Sequence, residues 1–175
     1  MIKQNPSSRK EELIGVLSDA VMRWQDATEK YDETVGEMYG LNTAERHCLS
    51  LLWRGALPPG VIAREIGLTP PAVTALVDRL VSRGYLTREP DPDDRRRQRI
   101  ATTELTRRMT ADTYQPMAEK GRVLLSGYTQ NELETIARFA TEALRIQEEA
   151  TAELLARRAA TGKPPRSGRR KIESA

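Results

Sequence analysis

Gly67 stands between two runs that constrain most of what this chain can fold into. PPGVIAREI precedes it and, after Leu68-Thr69, PPAVTALVDRLVSRG follows. A tight turn between two helices needs a residue at positive φ, which glycine alone adopts freely. Ala63 is small enough for the helices to cross over it, and Val73 points back at the first helix. Ile62, Ile66, Leu68 and Leu76 fill the other inward positions. Thr69 stands as the cap of the second helix, and Pro70 takes its first position, where no N–H is required. This spacing predicts a helix-turn-helix.

The second helix divides by face. At 100° per residue, Val73, Leu76, Val77 and Leu80 share the inner side. Pro71, Ala72, Thr74, Ala75, Asp78, Arg79 and Ser82 share the outer side. That outer side begins with small residues, so its leading end can enter a major groove without bulk. An ordinary solvent-facing surface has a similar composition, and the next segment decides between the two. Gly84 ends the helix, Tyr85-Leu86-Thr87-Arg88-Glu89 alternates, and Ile100 and Thr102 resume the alternation after a turn. The tip of this ribbon is Asp91-Pro92-Asp93-Asp94-Arg95-Arg96-Arg97, with Arg99 just inside the return strand. Arginines clustered beside a reading helix suit phosphates or a narrow minor groove. A hairpin so placed is predicted to be a wing.

The run LTPPAVTALVDRLVSRGYLTREPDPDDRRRQRIATT resembles the winged-helix core of the MarR family of bacterial transcription regulators. Asp94 and Arg96, after Asp91-Pro92, match the family's D-x-R wing signature, and with the flanking helices the resemblance extends over about residues 9–157. Two departures are Pro71, where a hydroxyl residue is common, and the lack of the usual glycine after the wing. The resemblance implies a mainly α fold with a small β-wing: a winged helix-turn-helix carrying long N- and C-terminal dimerisation helices. It further implies a dimeric DNA-binding regulator without a cofactor, more often a repressor. Often such a regulator answers to a small aromatic effector held between the dimer helices and the winged domain. Arg96 would reach the minor groove, and Asp94 would orient it. The expected DNA-binding residues are Thr69, Pro71, Ala72, Thr74, Ala75 and Arg79 of the reading helix, and Asp94, Arg95, Arg96 and Arg97 of the wing. Alanine and proline can touch only thymine methyls, so much of the specificity is expected from DNA shape. A two-fold dimer would read double-stranded DNA as an imperfect palindrome, its half-sites roughly 10–10.5 base pairs apart.

The remaining sequence is expected to serve that dimer. Residues 1–8 are read as a disordered N-terminus, 9–42 as an N-terminal dimerisation helix and 43–104 as the winged helix-turn-helix. Residues 105–160 are read as C-terminal dimerisation helices and 161–175 as a disordered basic tail. In the first helix Leu13, Leu17, Trp24, Tyr31 and Met38 form a narrow seam that calls for a partner helix. Asn42 or Thr43 caps the next helix, with Glu45 in the capping-box place, and Leu49, Leu52 and Trp53 make it a core helix. Ala56-Leu57 can add a third strand to the wing, and Pro116 can kink or interrupt the helix that follows it. Thr129 with Glu132 starts the last helix, where Leu133, Ile136, Ala140 and Leu144 form a second stripe. A homodimer is the expected assembly; a monomeric bundle, its end helices satisfying each other, is the alternative. Trp24, Tyr31 and Trp53 are aromatic candidates for an effector pocket, although aromatics at helical spacing are more often core.

The net charge of +3 says little about nucleic acid, because a basic excess lies in the tail at Lys163, Arg166, Arg169, Arg170 and Lys171. Local clustering is the better guide. Cys48 is the only cysteine and His47 the only histidine. Cys48 sits in an apolar helical run and reads as a small core residue, while His47 has no neighbouring ligand set for a metal. No apolar run is long enough to span a membrane, and no signal-peptide core is present, so a cytoplasmic location is expected. No paired nucleophile and base and no phosphate-binding loop points to an enzyme. The rival reading is a winged-helix protein–protein interaction module without specific DNA binding, which would call for an acidic or apolar reading face.

Overall fold

The computed structural model describes residues 6–94 and 96–161. Six helices and a two-stranded sheet follow one another along them. In chain order these are α1 (Pro6–Tyr39), α2 (Thr43–Leu52), α3 (Pro59–Ile66), α4 (Pro70–Ser82), β1 (Leu86–Pro90), β2 (Gln98–Thr102), α5 (Glu104–Ser126) and α6 (Gln130–Ala160). The chain divides into two units, Met1–Met117 and Ala118–Ala175. Helix α1 begins at Pro6 rather than after residue 8, since a proline fits a first turn whose N–H groups have no partner in any case. The predicted disorder of residues 1–5 and of the tail beyond Thr161 falls outside the described residues.

In the first unit the core lies where α2, α3, α4 and the sheet meet. Leu52, Ile62, Leu76, Leu80 and Ile100 are fully buried there, with Cys48, Val73 and Val77. The inward positions of the helix-turn-helix are thus as the spacing predicts. Gly67 ends α3 at φ 68°, and Gly84 follows α4 at φ 78°. At the second of these, the Gly84 N–H donates to the Val81 carbonyl (2.9 Å) and the Tyr85 N–H to the Leu80 carbonyl (2.9 Å), a Schellman closure. It turns the chain directly into β1, which pairs antiparallel with β2, Leu86 opposite Thr102 and Pro90 opposite Gln98. Leu57 joins Ile100 by a single bridge, so the expected third strand is reduced to one residue pair.

Capping explains where the helices start. Asn42 and Glu45 form a reciprocal capping box on α2, and Thr129 and Glu132 form another on α6. Thr69 occupies the cap position of α4, but its side chain makes no capping bond. Pro70 and Pro71 have no N–H groups, so two of the donors that a first turn leaves unpaired are absent. Helix α5 continues unbroken through Pro116, which does not interrupt it. Trp53 is a correction: it ends α2 at its C-cap and is 55% exposed, because the inward side of that helix is already filled by Cys48, Leu49 and Leu52.

Cys48 is fully buried, and burial, with Glu45 nearby as the lesser cause, pushes its thiol up to about 12. Reactivity requires the thiolate. Native protein at pH 8 is therefore expected to resist alkylation at Cys48, and denatured protein to react at once, as mass spectrometry of iodoacetamide-treated samples can show. Rapid native labelling would contradict the burial.

Candidate nucleic-acid interface

The wing and the outer side of α4 are built by neighbouring segments of one unit. Residues 91–97 close the ribbon through their own hydrogen bonds. The Asp91 N–H donates to the Arg97 carbonyl (3.0 Å), and the Arg97 N–H donates to the Asp94 carbonyl (2.8 Å). The Asp94 carboxylate accepts the Arg96 backbone N–H (3.0 Å). Its other oxygen lies 3.4 Å from the Arg97 guanidinium. Asp94 therefore arranges Arg96 through its backbone and engages the side chain of Arg97. The Arg97–Asp94 pair is exposed, and such pairs hold weakly, so a phosphate can replace the carboxylate. Arg96 and Arg97 are both exposed, while Arg95 lies outside the described residues.

Arg99, grouped with the wing arginines by sequence, turns inward. It is half-buried, and its guanidinium donates to the Ala56 carbonyl at the base of the ribbon. On α4 the leading positions Pro71, Thr74 and Ala75 are exposed and Ala72 is half-buried. The Thr74 hydroxyl donates to the Pro70 carbonyl (3.1 Å), four residues back in its own helix. Asp78 is paired with Arg88 of β1. Arg79, expected to face DNA, is exposed, and its Nε donates to the Glu45 carboxylate at 3.2 Å. Thr74, Asp78 and Arg79 on this side thus each have one partner within the protein, and all three are exposed.

Of the residues expected to dimerise, Leu13, Leu17 and Trp24 are exposed on α1, and Ile136, Ala140 and Leu144 are exposed on α6. Leu133 is half-buried. Tyr31 is half-buried and has partners in its own chain: its hydroxyl donates to the Thr113 carbonyl (2.5 Å), and its ring meets Tyr114 edge-on at 5.7 Å. Tyr114 donates to the Asp32 carboxylate (2.8 Å), and burial, then this acceptor, raise its phenol pKa. Sequence reasoning missed the Tyr114–Asp32 contact, since no local pattern joins residues so far apart in the chain. The expected effector aromatics do not converge. A cleft of about 480 Å³ along α1 and α2 is lined by Trp24, Glu29, Asp32, Arg46 and His47 among others, without Tyr31 or Trp53.

A helix-turn-helix followed by an arginine-tipped ribbon is thus present in three dimensions, and the family model of the MarR family matches residues 39–97, which carry the helix-turn-helix, β1 and the tip. This winged helix is similar to those of the MarR family. The chain is also similar to the HTH-type transcriptional regulator YcgE of Bacillus subtilis (strain 168), 40% identical over 95 residues. That match covers 54% of this chain and 62% of the relative, less than two thirds of its length. Among solved structures, S. aureus MepR bound to ethidium bromide is 20% identical with a TM-score of 0.55, covering 74% of this chain and 95% of that one. A MepR mutant bound to an oligodeoxyribonucleotide is 21% identical with a TM-score of 0.50, covering 75% and 97%. At such identities the likeness shows a common fold. Among the described residues, no helix is long and apolar enough to cross a membrane.

Proposed function

We propose that the chain is a dimeric, sequence-specific DNA-binding transcription regulator that acts as a repressor. The observation that carries this reading is the exposed pair Arg96 and Arg97 on a wing that directly follows a helix with a small, accessible leading face. In this reading Pro71, Ala72, Thr74 and Ala75 lie against base edges, and the wing arginines hold phosphates and the adjacent minor groove. Two such readers related by a two-fold axis select an imperfect palindrome with A·T-rich flanks, because A-tracts narrow the groove and attract arginine. The MepR mutant solved with an oligodeoxyribonucleotide gives the fold a precedent on DNA. For a small aromatic effector, the cleft beside Trp24 is the place, and MepR with ethidium bromide is the precedent. The rival protein-binding module requires an acidic or apolar face and is disfavoured by the arginine tip.

The test begins with selection of bound sequences from random duplex DNA. Changing Arg96→Ala and Arg97→Ala together is expected to weaken binding to the selected and to random duplexes alike. The slope of log K against log salt should fall by about one unit per lost phosphate contact. Unaltered affinity and slope, measured by fluorescence anisotropy over a salt series, would remove the wing from the interface.

A further inference from the structure

Glu45 is 4% exposed, an unusual place for a carboxylate. Its capping role uses one oxygen, which accepts the Asn42 N–H at 3.0 Å. The other accepts from Arg79 Nε of α4 at 3.2 Å, and Arg83 Nη1 lies 3.8 Å from the capping oxygen. Arg83 in turn donates to the carbonyls of Gly40 (2.9 Å) and Tyr39 (2.6 Å), where α1 ends. Its guanidinium also stands 5.0 Å from the centre of the Tyr85 ring, at the entrance to the wing. One buried anion and two arginines therefore join the end of α1, the start of α2, the last turns of α4 and the root of the ribbon.

We propose that Glu45 is a positioning residue for DNA reading: by holding Arg79 and Arg83 it fixes the angle at which α4 is presented, and it draws the half-exposed Arg79 side chain by its Nε edge away from the phosphates. The proposal rests on the DNA-binding function above. The buried carboxylate accepts a directional, charge-assisted bond from Arg79 and attracts the Arg83 guanidinium at 3.8 Å. The joint lies at the end of α4 away from its leading turn, so a small tilt there is magnified where bases are met. A merely structural carboxylate would affect stability and leave the ratio of specific to random binding alone.

The experiment uses the full chain with Glu45→Gln, which keeps the size and a capping oxygen but removes the charge, and with Arg79→Gln. Anisotropy titrations with the selected and random duplexes over a salt series are read beside circular dichroism and thermal melts. Glu45→Gln is expected to lower affinity for the selected duplex about tenfold. Random-duplex affinity should hold or rise, and the salt slope should steepen by about one unit as Arg79 becomes free to bind a phosphate. Arg79→Gln is expected to reduce specific binding without lowering the slope, and the double variant to be no worse than the poorer single one. If Glu45→Gln only lowers the melting temperature and leaves the binding ratio unchanged, the positioning role is wrong. If Arg79→Gln lowers the slope as the wing changes do, Arg79 is a phosphate contact and the proposal is again wrong. Failure of the unaltered chain to bind any duplex would overturn the DNA-binding reading itself, and this one with it.

Discussion

Replacing Leu13, Leu17 and Trp24 of α1 by glutamate is expected to convert the protein to a monomer with unchanged helical content. These side chains are 59%, 48% and 72% exposed, so within one chain they have little packing to lose. Glutamate is a good helix former, and α1 should persist. In a dimer, burying each apolar side chain is worth roughly 1.5–3 kcal/mol. Losing all three from both protomers approaches the roughly 12 kcal/mol of a nanomolar association. Exposed apolar residues at helical spacing on both terminal helices, among them Ile136, Leu144 and Leu154, suggest the same need for a partner. Sedimentation velocity across a concentration series decides the matter. A triple variant that sediments like the parent would show that the α1 seam is not the dimer interface. Deleting residues 1–38 is a harsher change, because it also takes away Tyr31 and the buried Val35.

The second large effect is expected at Leu80, which has no exposed surface and lies in the core where α4 meets its neighbours. Leu80→Ala removes buried methyl groups and leaves a cavity, which typically costs about 2–5 kcal/mol. Domains of ordinary stability have about 5–15 kcal/mol in total, so the change should consume much of it. Urea denaturation is expected to show a lower midpoint with the same slope, since the surface exposed on unfolding hardly alters. A midpoint equal to the parent's would mean that the helix-turn-helix core is not what stabilises the protein. The Schellman bonds at Gly84 use the backbone, so they should survive and keep the variant's wing attached to α4.

These two predictions draw on different kinds of legibility. Leu80 could be read because its neighbours repeat at helical spacing and Gly84 marks the end of the helix; period and φ are local properties. The same holds for Gly67, for the Asn42 and Thr129 caps, and for the turn at Asp91–Arg97. Trp53 was misread because an apolar residue at a helix end can point either way, and the contest is settled by which side is already full. Thr69 holds the cap position without a side-chain bond, and the two prolines after it leave fewer first-turn donors for such a cap to serve. Pro116 was read as a possible break, yet one missing N–H does not end a helix whose other bonds persist.

The interface residues divide along the same line. By itself the sequence determined the helix-turn-helix, the ribbon with its arginine tip and the small outer face of α4, because each depends on spacing within one short segment. It could not decide which arginines face outward. Arg79, Arg83, Arg96, Arg97 and Arg99 are the same residue type in polar surroundings, and a long flexible cation can reach either solvent or an acceptor on a neighbouring element. The tertiary structure brought the Glu45 carboxylate to one edge of Arg79 and near Arg83, both of which stay partly in solvent, and the Ala56 carbonyl to the half-buried Arg99, while Arg96 and Arg97 stay exposed at the tip. Those acceptors lie more than thirty residues away in the chain, where no local pattern reaches. The direction of a charged side chain is set by the nearest acceptor in space, and only folding brings that acceptor close.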